Sequence, residues 1–217
     1  MRLIEIVKNV PPNLISATNL MGLMQGLPAE EMGYTPLMRG TKEYIRVSQA
    51  QQRFVPEVIR ALQRYAQDQM EFYGRCKRAA VLHDWISGRR LEEIEADFTT
   101  NAFAGRIEYG DIRRFADLTR FHLQSASNIL AVLLLDKNPQ ADLDILLTRL
   151  EIGIPAEGID LLKAPLPLTR GEYLNLLRSG VRNVAELWSA SPDLLVGSLG
   201  KERAAQLERF RPKAKEQ

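Results

Sequence analysis

Residues 109–136, YGDIRRFADLTRFHLQSASNILAVLLLD, decide how the chain is read. Ile112, Phe115, Leu123, Ala126, Leu130 and Leu133, with Thr119 in the same row, recur at intervals of three and four. That is the apolar face of a helix expected to run from Asp111 to about Leu135. Asp111 is expected to cap it, because a short carboxylate can accept from the free N–H groups of a first turn. The opposite face carries Arg114, Asp117, Phe121, Ser125 and Asn128. It is polar except for one phenyl ring. Such a ring either receives a ligand or is covered by a neighbouring element.

The same three-and-four spacing continues to both sides of this helix, and sustained alternation with β-branched enrichment is nearly absent, so the fold class is all-α. A first helix spans about Arg2 to Lys8 and ends before Pro11-Pro12, while Ser16 to Ser48 is rich in Gly, Pro and Met without a period. Val58, Leu62, Tyr65 and Met70, then Ala80, Leu82, Trp85 and Ile86, describe one very long helix or two broken near Gly74, and two are expected. A short helix at RLEEIEADF and a loop at TTNAFAGRIEYG lead into the central one. Beyond Pro139, a helix carrying Leu143, Leu146, Leu147 and Leu150 precedes the turn GIPAEG and the Pro-punctuated KAPLPLTRG. The pattern divides the chain into a helical domain, 1–163, and a small domain of two tandem helical hairpins, 164–217, with the boundary near Ala164 and a frayed tail, RPKAKEQ.

Composition narrows the function classes. In 217 residues, 29 Lys and Arg stand against 27 Asp and Glu, a net charge of +2, so any polyanion-binding surface must be local. The single cysteine, Cys76, cannot form an internal disulfide, and MRLIEIVKNVPPN lacks the apolar core of a signal peptide; a cytoplasmic location is expected. The longest apolar run, Ile129 to Leu135, is far shorter than the roughly 20 residues a membrane-spanning helix needs, so no membrane partner is expected.

Most catalytic chemistries find no matching constellation. Gly40-Thr41-Lys42 resembles a P-loop only superficially, since no Gly-x-x-x-x-Gly-Lys run exists, and ATP hydrolysis is not expected of this chain. His83 and His122, the only histidines, are too few for the usual zinc site beside one cysteine, and no metal or cofactor is expected. Glu92, Glu93, Glu95 and Asp97 lie together at the short helix, where carboxylates favour the helix dipole and face water rather than forming an acid/base pair. Trp85 and Trp188 sit on apolar rows and are expected in cores. Two basic segments remain. Arg75, Lys77, Arg78, Arg89 and Arg90 face Asp84 alone, and Arg113, Arg114 and Arg120 share the central helix with Asp111 and Asp117. Cations with an exposed ring are what single strands need, phosphates being held by charge and bases by flat aromatic faces.

These segments carry a family resemblance. KRAAVLHDWISGRRLEEIEADF, YGDIRRFADLTRFHL and LLTRLEIGIPAEGIDLL, followed by the tandem hairpins, resemble the C-terminal accessory region of Ski-like superfamily-two DEAD/DEAH-box helicases. In that family a Lys-Thr-Ala-like start and an Asp-Trp-Ile element precede a Gly-Asp-Leu-Arg-Arg-like helix, an Arg-x-x-Gly-Val element and a helix-hairpin-helix domain. The counterparts are Lys77-Arg78-Ala79, Asp84-Trp85-Ile86, Gly110-Asp111-Ile112-Arg113-Arg114 and Arg149-Leu150-Glu151-Ile152-Gly153-Ile154. The likeness is strong over about Tyr73–Leu162 and moderate to Phe210.

The resemblance implies a ratchet helix whose Arg114 and Phe121 contact single-stranded DNA or RNA, with Arg113, Arg120 and Gln124 beside them. It implies further backbone and cation contacts at Gly200, Lys201 and Arg203 in the second hairpin. The first hairpin departs from the family, with Thr169 at the expected glycine, Gly171 displaced and only Arg170 kept of the basic run. ATP and Mg²⁺ would belong to motor domains, in cis or in trans, that this chain does not contain; it is a piece of a longer helicase or a short protein keeping the accessory region. A protein-interaction scaffold, with the hairpins docking a partner, is the alternative.

Overall fold

The computed structural model describes residues 2–39, 41–101, 103–133 and 140–211. Among them the regular structure is helical throughout, without a strand. No helix of the described residues is long and apolar enough to cross a membrane. The chain forms two compact units, one ending at Glu151 and the other beginning at Ile152. This division precedes the expected boundary near Ala164, because Ile154 and Leu161 already belong to the second core. The tail RPKAKEQ lies outside the described residues apart from Arg211.

The first unit contains α1 (Arg2–Lys8), α2 (Ala17–Met24), α3 (Ala29–Met32), α4 (Ile45–Gln51), α5 (Pro56–Arg64), α6 (Gln69–Ile86), α7 (Leu91–Phe98), α8 (Tyr109–Leu133) and α9 (Gln140–Ile152). α6 is its hub, packing against α2, α4, α5, α7 and α8. The expected break near Gly74 lies instead before Asp68, and Gly74 is inside α6. Asp68 accepts from the Glu71 N–H at 2.8 Å while Glu71 accepts from Gln67 N–H at 2.6 Å, and these paired bonds start the helix. Gly74 serves packing: a Cβ there would lie 3.1 Å from Leu37 Cδ1. The segment without a period, Ser16–Ser48, supplies α2, α3 and the beginning of α4, and its extended portion around Thr35–Leu37 lies along α6.

α8 is the longest helix. Ile112, Phe115, Thr119, Leu123, Ala126 and Leu130 are all buried, as the spacing requires; the side chain of Leu133 lies outside the described residues. Asp111 is not the cap but stands within the first turn, reaching back to the Glu108 N–H at 3.2 Å. The Tyr109 N–H, an orphan donor of that turn, is accepted by Glu95 of α7 at 2.9 Å. Trp85 is buried and donates to the Leu150 carbonyl at 2.9 Å, tying α6 to α9.

The second unit follows a 3₁₀ stretch, Ala156–Lys163, with α10 (Arg170–Arg178), α11 (Val184–Ser189), α12 (Pro192–Leu199) and α13 (Lys201–Glu208). Short polar residues begin the helices: Thr169 with Glu172 forms a capping box, and Asn183 and Ser191 cap α11 and α12. Leu174, Leu176, Leu187, Leu195 and Leu207 build its core, with Trp188 half-buried against it.

Candidate nucleic-acid interface

Phe121 stands on α8 with its ring 63% exposed. Helical geometry places Arg114 two turns earlier on the same face, about 10 Å along the axis. Val132, also exposed, continues the row beyond Asn128. The Ser125 hydroxyl donates back to the Phe121 carbonyl at 3.3 Å and so presents no free donor beside the ring.

Arg114 is a steered cation. Its Nη2 donates to Asp111 Oδ1 at 2.7 Å, its guanidinium lies 5.0 Å from the Phe115 ring centroid, and its Nη1 is buried without a hydrogen-bond partner. That nitrogen passes over Gly33, where a Cβ would approach it to 2.7 Å. Gly33 also has φ +71°, so the backbone and the arginine require the same missing side chain. About a third of the Arg114 side chain remains exposed.

Arg113 and Arg120 converge on the end of α9. Arg120 Nη2 is 2.8 Å from Glu151 Oε2, Arg113 donates to the Glu151 carbonyl, and both cations lie within 3.6 Å of Asp117. Gln124 is exposed one turn beyond Phe121. The structure therefore brings Arg113, Arg120, Asp117 and Glu151 into one ionic group beside the Arg114–Phe121 row.

The other basic segment is a correction. Arg75, Lys77 and Arg78 are buried rather than forming a cationic surface, because neighbouring helices together with the Thr35–Leu37 stretch and the Gly105 turn cover this part of α6. Lys77 Nζ donates to the carbonyls of Pro36 at 2.6 Å and Gly105 at 2.8 Å and lies 3.9 Å from Glu43; burial pulls its pKa down to about 8. Arg78 donates to Thr35 Oγ1 at 2.6 Å and the Gln25 carbonyl at 3.1 Å, and burial lowers its pKa to about 9. Gln25 in turn donates to Thr119 of α8 at 3.0 Å. Arg90 stays exposed, whereas Arg89 joins Asp84 at 2.9 Å and Asp97 at 2.5 Å. Burial opposes ionisation of Asp84, but His83 at 3.7 Å and the paired Arg53 and Arg89 outweigh it and hold the carboxyl well below its ordinary range.

In the second unit, Gly200 joins α12 to α13 with φ +83° and ψ 158°, a conformation reserved for glycine. Lys201 is exposed at the start of α13. Arg203 is committed to Glu172 at 2.8 Å, which links α13 to the capping box of α10. Thr169 is that cap, and Gly171 is an ordinary residue of the first turn with open space where a Cβ would stand.

Sequence reasoning missed Glu95, Glu43, Arg46 and Gln25. Glu95 belongs to a run of carboxylates expected to face water, yet it accepts the first N–H of α8. Glu43, Arg46 and Gln25 fall in the aperiodic segment and carry no local signal of burial. The described residues contain no group of three or more His, Cys, Asp or Glu placed to hold a metal ion. No protein-family model matches the chain, and no curated protein matches it.

Proposed function

We propose that the chain is the non-catalytic, nucleic-acid-binding C-terminal region of an ATP-dependent helicase, in which α8 holds single-stranded DNA or RNA during translocation. One observation carries this reading. A large ring stays in water on a helix that fully buries Phe115 on its other side, and it shares a face with a partly exposed, sterically guided guanidinium. A base stacks on Phe121, a contact worth about 1–3 kcal/mol, and Arg114 takes a phosphate. Gln124 supplies a polar contact beside the ring, and Arg113 and Arg120 add positive potential. Gly200, which leaves its backbone open, and Lys201 form the second contact, with Arg203 supporting it through Glu172. The likeness to Ski-like helicases assigns ATP, Mg²⁺ and their chemistry to motor domains in cis or in trans.

The test compares folded variants on one labelled oligonucleotide. Phe121→Ala lowers affinity, keeps the salt slope and moves the thermal midpoint little, because truncating an exposed side chain changes stability by about 0.5 kcal/mol or less. Arg114→Ala lowers affinity and flattens the slope. Unchanged affinity in both variants rejects the reading.

A protein-interaction scaffold is the second reading, favoured by a specific observation: Arg113, Arg114, Arg120 and Arg203 all lie within salt-bridge reach of carboxylates. In that case the hairpins of the second unit dock a protein partner, the basic faces only keep the chain solvated, and oligonucleotide binding is absent at low salt.

A further inference from the structure

A second exposed ring has no part in the α8 face. Phe103, in the loop between α7 and α8, is 100% exposed, more than any other large apolar residue described. The loop that carries it is held from inside. The Asn101 side chain accepts from the N–H groups of Phe103 at 2.8 Å and Ala104 at 2.7 Å, and the Thr100 N–H donates to the Gly105 carbonyl at 3.2 Å. Gly105, at φ +68°, closes the turn where a Cβ would lie 2.7 Å from Thr100 Oγ1.

The base of the loop is fastened to the buried ions. Lys77 donates to the Gly105 carbonyl, and Arg46 donates to Thr100 Oγ1 at 3.0 Å while Thr100 donates to Glu43 at 2.5 Å. Hydrogen bonds at Phe103 and Ala104 and at the base of the turn limit the freedom that a bound ring would lose.

The charges around that base indicate the kind of ligand. Asp97 and Glu108 are matched by Arg89 at 2.5 Å and Arg106 at 3.0 Å. Arg39 and Lys42 are exposed, and neither has a carboxylate partner among the described residues. Met38, next to Arg39, contacts Asn101, and Lys42 lines a shallow depression with Tyr44 and Thr100. The surplus at the loop is positive, and a second exposed aromatic, Tyr44, stands at its foot.

We propose that Phe103 is a second base-stacking platform for single-stranded nucleic acid, displayed beside the hydrogen-bonded Asn101 and Gly105, with Arg39 and Lys42 receiving the adjoining phosphates. This rests on the reading of the chain as a single-strand binder. It adds a site on a different element, one that the family resemblance does not supply.

The test uses the full chain with thymidine and uridine oligomers at fixed salt. Phe103→Trp gives an indole whose emission, measured above the parent's Trp85 and Trp188 background, is quenched on addition of the oligomer. Phe103→Ala loses roughly tenfold in affinity without a change in salt slope, and Lys42→Ala reduces the slope by about 0.7. The thermal midpoint of Phe103→Ala stays at the parental value, since the ring touches no core. An unquenched indole with parental affinity in Phe103→Ala, alongside weakened binding in Phe121→Ala, overturns the loop site alone and leaves Phe103 to a protein partner. Absence of oligomer binding by the parent at low salt overturns both sites together.

Discussion

Two basic stretches that look alike end in opposite environments. Arg75, Lys77 and Arg78 of α6 are enclosed and spend their donors on backbone carbonyls, threonine, glutamine and, for Arg75, the Glu71 carboxylate, whereas Arg113, Arg114 and Arg120 of α8 lie at the surface beside carboxylates. The difference is set by the helix that carries them. α8 has one continuous apolar row and therefore one wet face. α6 is packed on all sides, so its cations are buried whatever their preference, and the fold supplies acceptors from distant segments to receive them. A run of Lys and Arg is therefore a binding surface only when its helix has a side left for water.

The comparison predicts a separation of phenotypes, stability on α6 and affinity on α8. The largest effect is expected for Glu43→Ala, which strands Arg46 and Lys77 without their shared carboxylate; chemical denaturation should read a loss of roughly 3–5 kcal/mol. Arg78→Ala comes next. It leaves Gln25 and Thr35 without their donor, an unsatisfied-group penalty of about 1–3 kcal/mol, and its thermal midpoint should fall accordingly. An effect no larger than that of an exposed arginine in either variant would break the contrast.

Lys77 sharpens it through pH. Its folded pKa near 8 lies below the ordinary lysine value, so between about pH 8 and 10.5 the unfolded chain binds more protons than the folded one. Stability from this group therefore rises with pH across that window. The rise should be visible in parallel denaturation series as a difference between the parent and Lys77→Met, which lacks it. The smallest effect on stability belongs to Arg120→Ala, at most about 1 kcal/mol for a surface ion pair with Glu151, while its oligonucleotide affinity falls and becomes less salt-dependent.

The sequence made α8 readable because periodicity reports burial, and Ile112 through Leu130 obey it. Phe121 was readable for the same reason, as the exception on the opposite face. Asp68 and Glu71, three residues apart, carry a legible helix start, but Gly74 is the more obvious breaker in the sequence; its role is to admit Leu37. The fate of Lys77 and Arg78 was not legible. Their partners, Pro36, Thr35, Gln25 and Gly105, lie far away along the chain, and charge type by itself says nothing about enclosure. Phe103 was equally silent, since an exposed loop aromatic has no pattern to violate.

The fastening of Glu43, Arg46, Lys77 and Thr100 also favours concerted assembly of the segments it joins. It joins α4, α6 and the loop before α8, segments that meet only after long stretches of chain have been closed. Until all have arrived, the ions remain better solvated in water, and a partly docked arrangement suffers desolvation without its full set of partners. Such intermediates are disfavoured relative to both ends of the reaction. In native-state hydrogen exchange, the Gly105 turn and the middle of α6 should therefore open together as one cooperative block, although one is a surface loop and the other the centre of the unit.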